Sequence, residues 1–176
     1  MENKKADVWV STVLYILIGL AVMGILLAVI KPKIADLKDS ATIEQSINSI
    51  NKFDEIMSRV RQSTGTSLKY SLQLSRGNFL INAMGENITW ILKDSAHQYS
   101  QEGVPLNIGN IEALTIKNGN VWQITLMRSY SNSNIDITVN GMDRDWPLTP
   151  AKIPYTIFIE NLGIKNGKQN IDISIK

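Results

Sequence analysis

The chain has 176 residues, with 18 basic and 16 acidic side chains and a net charge of +2. These charges are spread without blocks, which excludes the basic stripe of a nucleic-acid-binding protein, so no nucleic acid is expected as a partner. There is no cysteine, and this removes disulfides, thiolate metal sites and cysteine nucleophiles together, leaving an exported domain to rely on its core and its hydrogen-bonded sheet.

From Val8 to Ile30 no side chain ionises apart from the phenol of Tyr15. As a helix rising about 1.5 Å per residue, this run reaches roughly 35 Å, enough to cross the approximately 30 Å hydrocarbon core of a bilayer. Helices in soluble cores rarely stay apolar on every face for that length. A secretory signal has a shorter apolar region followed by a small-residue cut site, whereas this run ends in AVIKPKIAD. The reading is a single-pass membrane anchor over residues 8–30, with membrane lipid as its first partner. Lys4 and Lys5 precede the run and Lys31, Lys33 and Lys38 follow it, so charge alone leaves the orientation open. The long downstream domain tips the expectation toward an extracellular head, because long domains are translocated largely regardless of charge.

Pro32 falls just past the apolar run, where it is expected to kink or interrupt the helix by withholding one donor. Beyond it, Ile34, Leu37, Ile43, Ile47, Ile50, Met57 and Val60 recur at helical spacing between Lys38, Glu44, Lys52, Glu55 and Arg59. This predicts an amphipathic stalk running to about Arg61, stopped by QSTGT with Gly65 as its C-terminal cap. The helix is therefore expected over 7–62.

The rest reads as strands. SLKYSLQL, FLINA and ITWILK are separated by SRGN and MGEN, and predict a three-stranded meander. IEALTI and VWQITLM flank KNGN, where Asn118 and Gly119 suit the positive φ of a tight hairpin. IDITV, YTIFIEN and NIDISI follow, divided by the turn-rich NGMDRDWPLTP and NLGIKNGKQ. Residues 94–109 carry no strand pattern and read as a long loop or a turn of helix. The expected fold class is α+β: a long N-terminal hydrophobic helix continuing into an amphipathic stalk, then an antiparallel β-sheet or sandwich as a β-rich head over 67–176.

The N-terminal residues resemble those of archaeal type IV pilin-like proteins that carry a class III signal peptide. The resemblance rests on the charged pair Lys4 and Lys5, the small Ala6, then Asp7 and Val8 at the start of the apolar helix, followed by VSTVLYI. It implies a signal peptide over 1–6, cut by a prepilin peptidase between Ala6 and Asp7 on the cytoplasmic face. It further implies the pilus assembly machinery as a partner, and self-association or association with other pilin-like subunits. The family often has a glutamate near this point in the helix; Val13 and Ser11 stand at the two alignable positions here. The function implied is a structural subunit, major, minor or pilin-like, of a surface filament, anchored in the cell membrane before assembly. The alternative is a single-pass membrane protein whose extracellular head binds a partner or glycan and does not polymerise.

Residues suited to catalysis are sparse. His97 is the one histidine and reads as a surface or structural residue in DSAHQYSQ. Asp143 and Asp145 flank Arg144 in GMDRDWP, but the other ligands of a calcium loop are missing, so they read as solvated turn aspartates. No HExxH and no phosphate-cradling glycine loop occurs. An enzyme is not expected, nor is a cofactor or metal. Asn87, Ile88 and Thr89 form an N-glycosylation sequon, accessible if Asn87 begins an edge strand. Trp90, Trp122 and Trp146 read as core aromatics of the head.

Overall fold

The computed structural model describes the backbone of residues 3–175 and the side chains of residues 9–175. One helix, α1 (Asn3–Val60), runs unbroken into a β-rich head, which is the α+β layout. Pro32 lies inside it, so the expected interruption does not occur. A single withheld donor is too little to stop a helix that is already propagating on both sides.

Among the described residues the head has ten strands in chain order: β1 (Ser67–Leu72), β2 (Asn78–Asn82), β3 (Asn87–Ser95), β4 (Leu106–Ile108), β5 (Ile111–Asn118), β6 (Val121–Ser129), β7 (Ile135–Val139), β8 (Trp146–Leu148), β9 (Tyr155–Lys165) and β10 (Lys168–Ile175). They form a four-stranded sheet ordered β1-β9-β10-β7 and a six-stranded sheet ordered β4-β5-β6-β3-β2-β8. The six-stranded sheet is antiparallel throughout. In the four-stranded sheet β10 runs parallel to β7, a departure from the all-antiparallel expectation.

The second half of α1 packs on both sheets, against β1 and β9 of one and β3 and β5 of the other. Ile43, Ile47, Ile50, Phe53, Ile56, Met57 and Val60 are buried there in one cluster shared by both sheets. Ile34 and Leu37, counted in the stripe from spacing alone, are exposed, Leu37 at 67%. The stripe therefore begins at Ile43. Phe53 joins the two sheets: its ring lies edge-on to Tyr70 of β1 at 5.7 Å and tilted to Phe79 of β2 at 6.4 Å.

The end of α1 is capped by the sheet. Asn161 donates through Nδ2 to the Val60 carbonyl at 3.1 Å, and Gln169 through Nε2 to that of Arg61 at 2.6 Å. These take carbonyls that the helix end leaves without intrahelical partners. Gly65 is thus not the cap; it sits in the following loop at φ +79 and donates its N–H to the Asn161 carbonyl at 2.7 Å.

The expected meander is also corrected. β1 pairs with β9, while β2 pairs with β3 and β8. Alternation identifies a strand but not its partner, and here the chain crosses from one sheet to the other between Leu72 and Asn78. Gly77 is needed at that crossing: at φ +75, an added Cβ would come within 2.7 Å of the Trp90 ring and 2.8 Å of the Ile91 carbonyl oxygen.

The β5–β6 hairpin forms as read, but Asn118 pairs with Val121 and the loop is Gly119–Asn120. Gly119 alone takes positive φ, 64°, as a glycine at the first central position of a tight hairpin should. Two stretches read as loops hold three-residue strands, β4 and β8, which are too short to show a period. β8 carries Pro147 and is an edge strand, where a missing donor is tolerated.

Candidate functional site

The first half of α1 stands clear of the head. Trp9 is 76% exposed, and Leu14, Tyr15, Ile18, Met23, Ile25 and Val29 are exposed with it. Among the described residues this is the one helix long and apolar enough to cross a membrane, and its apolar window is nowhere buried against the rest of the chain. Apolar surface of that extent in water is unfavourable by about 25 cal/mol per Å², so it requires lipid or other apolar helices around it. Lys4, Lys5, Ala6 and Asp7 continue the helix backbone; their side chains lie outside the described residues.

The head meets the helix a short way past the span. Asp36 is hydrogen-bonded to His97 Nδ1 at 2.9 Å. One turn on, the buried Asp39 pairs with Arg76 through Oδ1 and accepts the Ala96 N–H through Oδ2 at 2.7 Å. Arg76 is itself positioned by its carbonyl, which accepts the Trp90 indole N–H at 3.1 Å. His97, read only as a surface or structural residue, is thus part of the joint between helix and head. Spacing could not have found this joint, because its carboxylates sit on α1 and their partners lie 37 to 61 positions away.

Further along, Asp54 accepts from Arg128 Nε at 2.9 Å and from Asn110 Nδ2 at 3.2 Å. Arg128 lies over the Tyr130 ring at 4.7 Å. The Tyr130 hydroxyl is buried beside this pair without a well-formed hydrogen bond. Burial first, and then the Asp54 charge, push its phenol well above the ordinary 10.0. Burial also raises the phenol of Tyr70, against the opposing hydrogen bond from its hydroxyl to the Ser49 carbonyl.

A raised phenol is neutral when folded while the unfolded one ionises near pH 10, so its contribution to stability is complete below pH 10. That contribution is lost as pH climbs from there through the folded value, by up to about 1.4 kcal/mol per pH unit per group. We expect Tyr130→Phe to leave neutral-pH stability within about 1 kcal/mol, since no good hydrogen bond is removed, and to flatten the alkaline decline. Denaturant titrations between pH 8 and 11 measure both; an unchanged alkaline slope would rule Tyr130 out as a source.

Asn87 starts β3, an interior strand flanked by β2 and β6 rather than an edge. Its Nδ2 donates to the Gly85 carbonyl at 3.1 Å and its Oδ1 accepts from Thr89 Oγ1 at 3.0 Å. Asp143 and Asp145 are exposed on the β7–β8 connection, with Arg144 over the Trp146 ring at 4.8 Å. Trp90 is buried, and Trp122 and Trp146 are partly buried against the core. Among the described residues no cluster of three or more histidine, aspartate or glutamate side chains is placed to hold a metal ion.

Fold and joint together define a class: a β-rich head seated on one half of a helix whose other half is long and apolar enough to span a membrane. No protein-family model matches the chain, and neither a curated protein nor a solved structure does.

Proposed function

We propose that the chain is a structural subunit of an archaeal type IV pilus-like surface filament. On this reading a prepilin peptidase cuts between Ala6 and Asp7, the apolar half of α1 holds the subunit in the cell membrane, and the head lies outside. The observation that carries it is the unbroken helix, bare and apolar in its first half and docked into the head in its second. A helix apolar on every face can exchange lipid for copies of itself with little change in exposed surface. The resemblance of Lys4, Lys5, Ala6 and Asp7 to a class III signal supports the cut. Neither catalysis nor a cofactor is assigned.

Intact mass and N-terminal sequencing of membrane-derived protein test this. A chain beginning at Asp7 is expected; one beginning at Met1 in a host with an active prepilin peptidase would sink the reading. The second reading, an anchored extracellular binding domain that does not polymerise, is favoured by Val13 and Ser11 where the family often has an acid. Exposed Met84, Leu162 and Ile164 on turns and strand ends of the head would be its contact residues.

A further inference from the structure

The contacts along α1 give the head a direction. Asp36 and Asp39 hold its near end, Ser49 its middle, and Val60 and Arg61 its far end. Asp36 lies six residues past Ile30, about 9 Å at 1.5 Å per residue. The polar headgroup layer is itself roughly 5–8 Å deep on each side of the hydrocarbon. The near end of the head therefore stands at the outer margin of the headgroups whenever residues 8–30 fill the bilayer. The exposed Ile34 lies in this interval and the exposed Leu37 just past it.

Two loops of the head face that margin. Ser95 pairs with Trp122, and the next residue, Ala96, is bound to Asp39. The Gly119–Asn120 turn, on the far side of Trp122 from the rest of β6, consequently projects toward the anchor. The 149–154 loop is tied there too, by the Ala151 N–H to the Leu74 carbonyl at 2.9 Å and by Gln73 Nε2 to the Ala151 carbonyl at 3.0 Å. These loops and the end of β3 present exposed Lys93, Lys117 and Lys152, and the exposed Lys31, Lys33 and Lys38 lie on the adjoining stretch of the helix. Lys117 is held 5.5 Å over the Trp122 ring, and Lys152 is followed by Ile153, 79% exposed. The exposed acids nearby are Glu44, Asp94 and Glu102; Asp36 is hydrogen-bonded to His97 and keeps its charge, and Asp39 is paired with Arg76.

We propose that this end of the head is a docking surface for anionic lipid headgroups of the bilayer that α1 crosses. Lysines draw in lipid phosphates within a Debye length of about 8 Å at physiological salt, and this end of the head begins at Asp36, where the helix leaves the headgroup layer. Ile153 supplies an apolar contact for the membrane interface beside Lys152. The surface rests on the anchor, which both functional readings share, and is independent of whether the subunit polymerises. It fixes how the head is tilted over the membrane before any partner is met.

The test uses the full chain reconstituted in vesicles of phosphatidylcholine, alone or mixed with phosphatidylglycerol. As the chain has no cysteine, Asn120→Cys takes a single fluorophore, read against a quencher carried on lipid headgroups. Stronger quenching is expected in anionic vesicles than in neutral ones, lost at about 1 M salt, where the Debye length falls to about 3 Å. It should also be lost with Lys93, Lys117 and Lys152 all changed to Glu. A fluorophore on Ile164→Cys, at the far end, should be equally bright in every case. Equal quenching of the Asn120 label in neutral and anionic vesicles, unmoved by salt, overturns the docking surface while leaving the anchor intact. A chain stripped from the vesicles by alkaline carbonate overturns the anchor and the docking surface with it.

Discussion

Phe53→Ala should lower the stability of the head by about 3–5 kcal/mol, the usual loss when a fully buried phenylalanine is truncated. Phe53 is wholly buried and its ring is the contact shared by Tyr70 of the four-stranded sheet and Phe79 of the six-stranded one. Removing it opens a void that neither sheet can fill alone, because each is held in register by strands reaching far from the site. The two aromatic contacts go with it, at about 0.5–1.5 kcal/mol each beyond area burial. Phe53→Leu keeps most of the volume and should lose far less. Denaturant titration of the full chain in detergent, followed by tryptophan fluorescence, gives both values. A loss below about 1 kcal/mol for the alanine variant would mean that the helix is not the element joining the sheets.

Asp39→Ala should cost about 2–4 kcal/mol and loosen the joint specifically. The Asp39 side chain is 5% exposed and serves two donors, Arg76 and the Ala96 N–H. Arg76 is 42% exposed and can turn to water, so the larger share of the loss comes from the backbone donor left without its acceptor. Asp39→Asn, which keeps one acceptor oxygen, should recover part of it. Adding Arg76→Ala to Asp39→Ala should cost less than Arg76→Ala does alone, since the pair is already broken. Hydrogen exchange supplies the site-specific readout: the Ala96 amide should lose protection before the amides of β9 and β10. Uniform loss across the head would assign Asp39 to global stability instead of to the joint.

Much of this fold could be read in the chain because its signals are local. The apolar run, the helical spacing from Ile43 to Val60, and the alternation in β1, β3, β5 and β6 depend on neighbours within a few residues. Partnership does not. β1 lies beside β9, with Ser67 opposite Glu160, and nothing within SLKYSL distinguishes that neighbour from FLINA. The start of the stripe is a matter of phase: Ile34 and Leu37 stand nine and six residues before Ile43, which at about 100° per residue turns them to the side of the helix away from the head. The helix cap was misplaced for a similar reason: Gly65 is the nearest glycine, yet Asn161 and Gln169 do the capping from a hairpin a hundred residues on. The same limit governs the joint. Asp36 and Asp39 look like ordinary helix-surface acids until Arg76, Ala96 and His97 are brought to them.

The strand order carries a consequence for how the protein is made. β10 is an inner strand, hydrogen-bonded to β9 on one side and to β7 on the other. Until residues 168–175 have been synthesised, β7 has no place in the four-stranded sheet, and the Gln169 that caps α1 does not yet exist. The helix, by contrast, precedes every strand of the head in chain order. The helix can thus form before the head is able to close, and closure of the four-stranded sheet waits on the last of its strands.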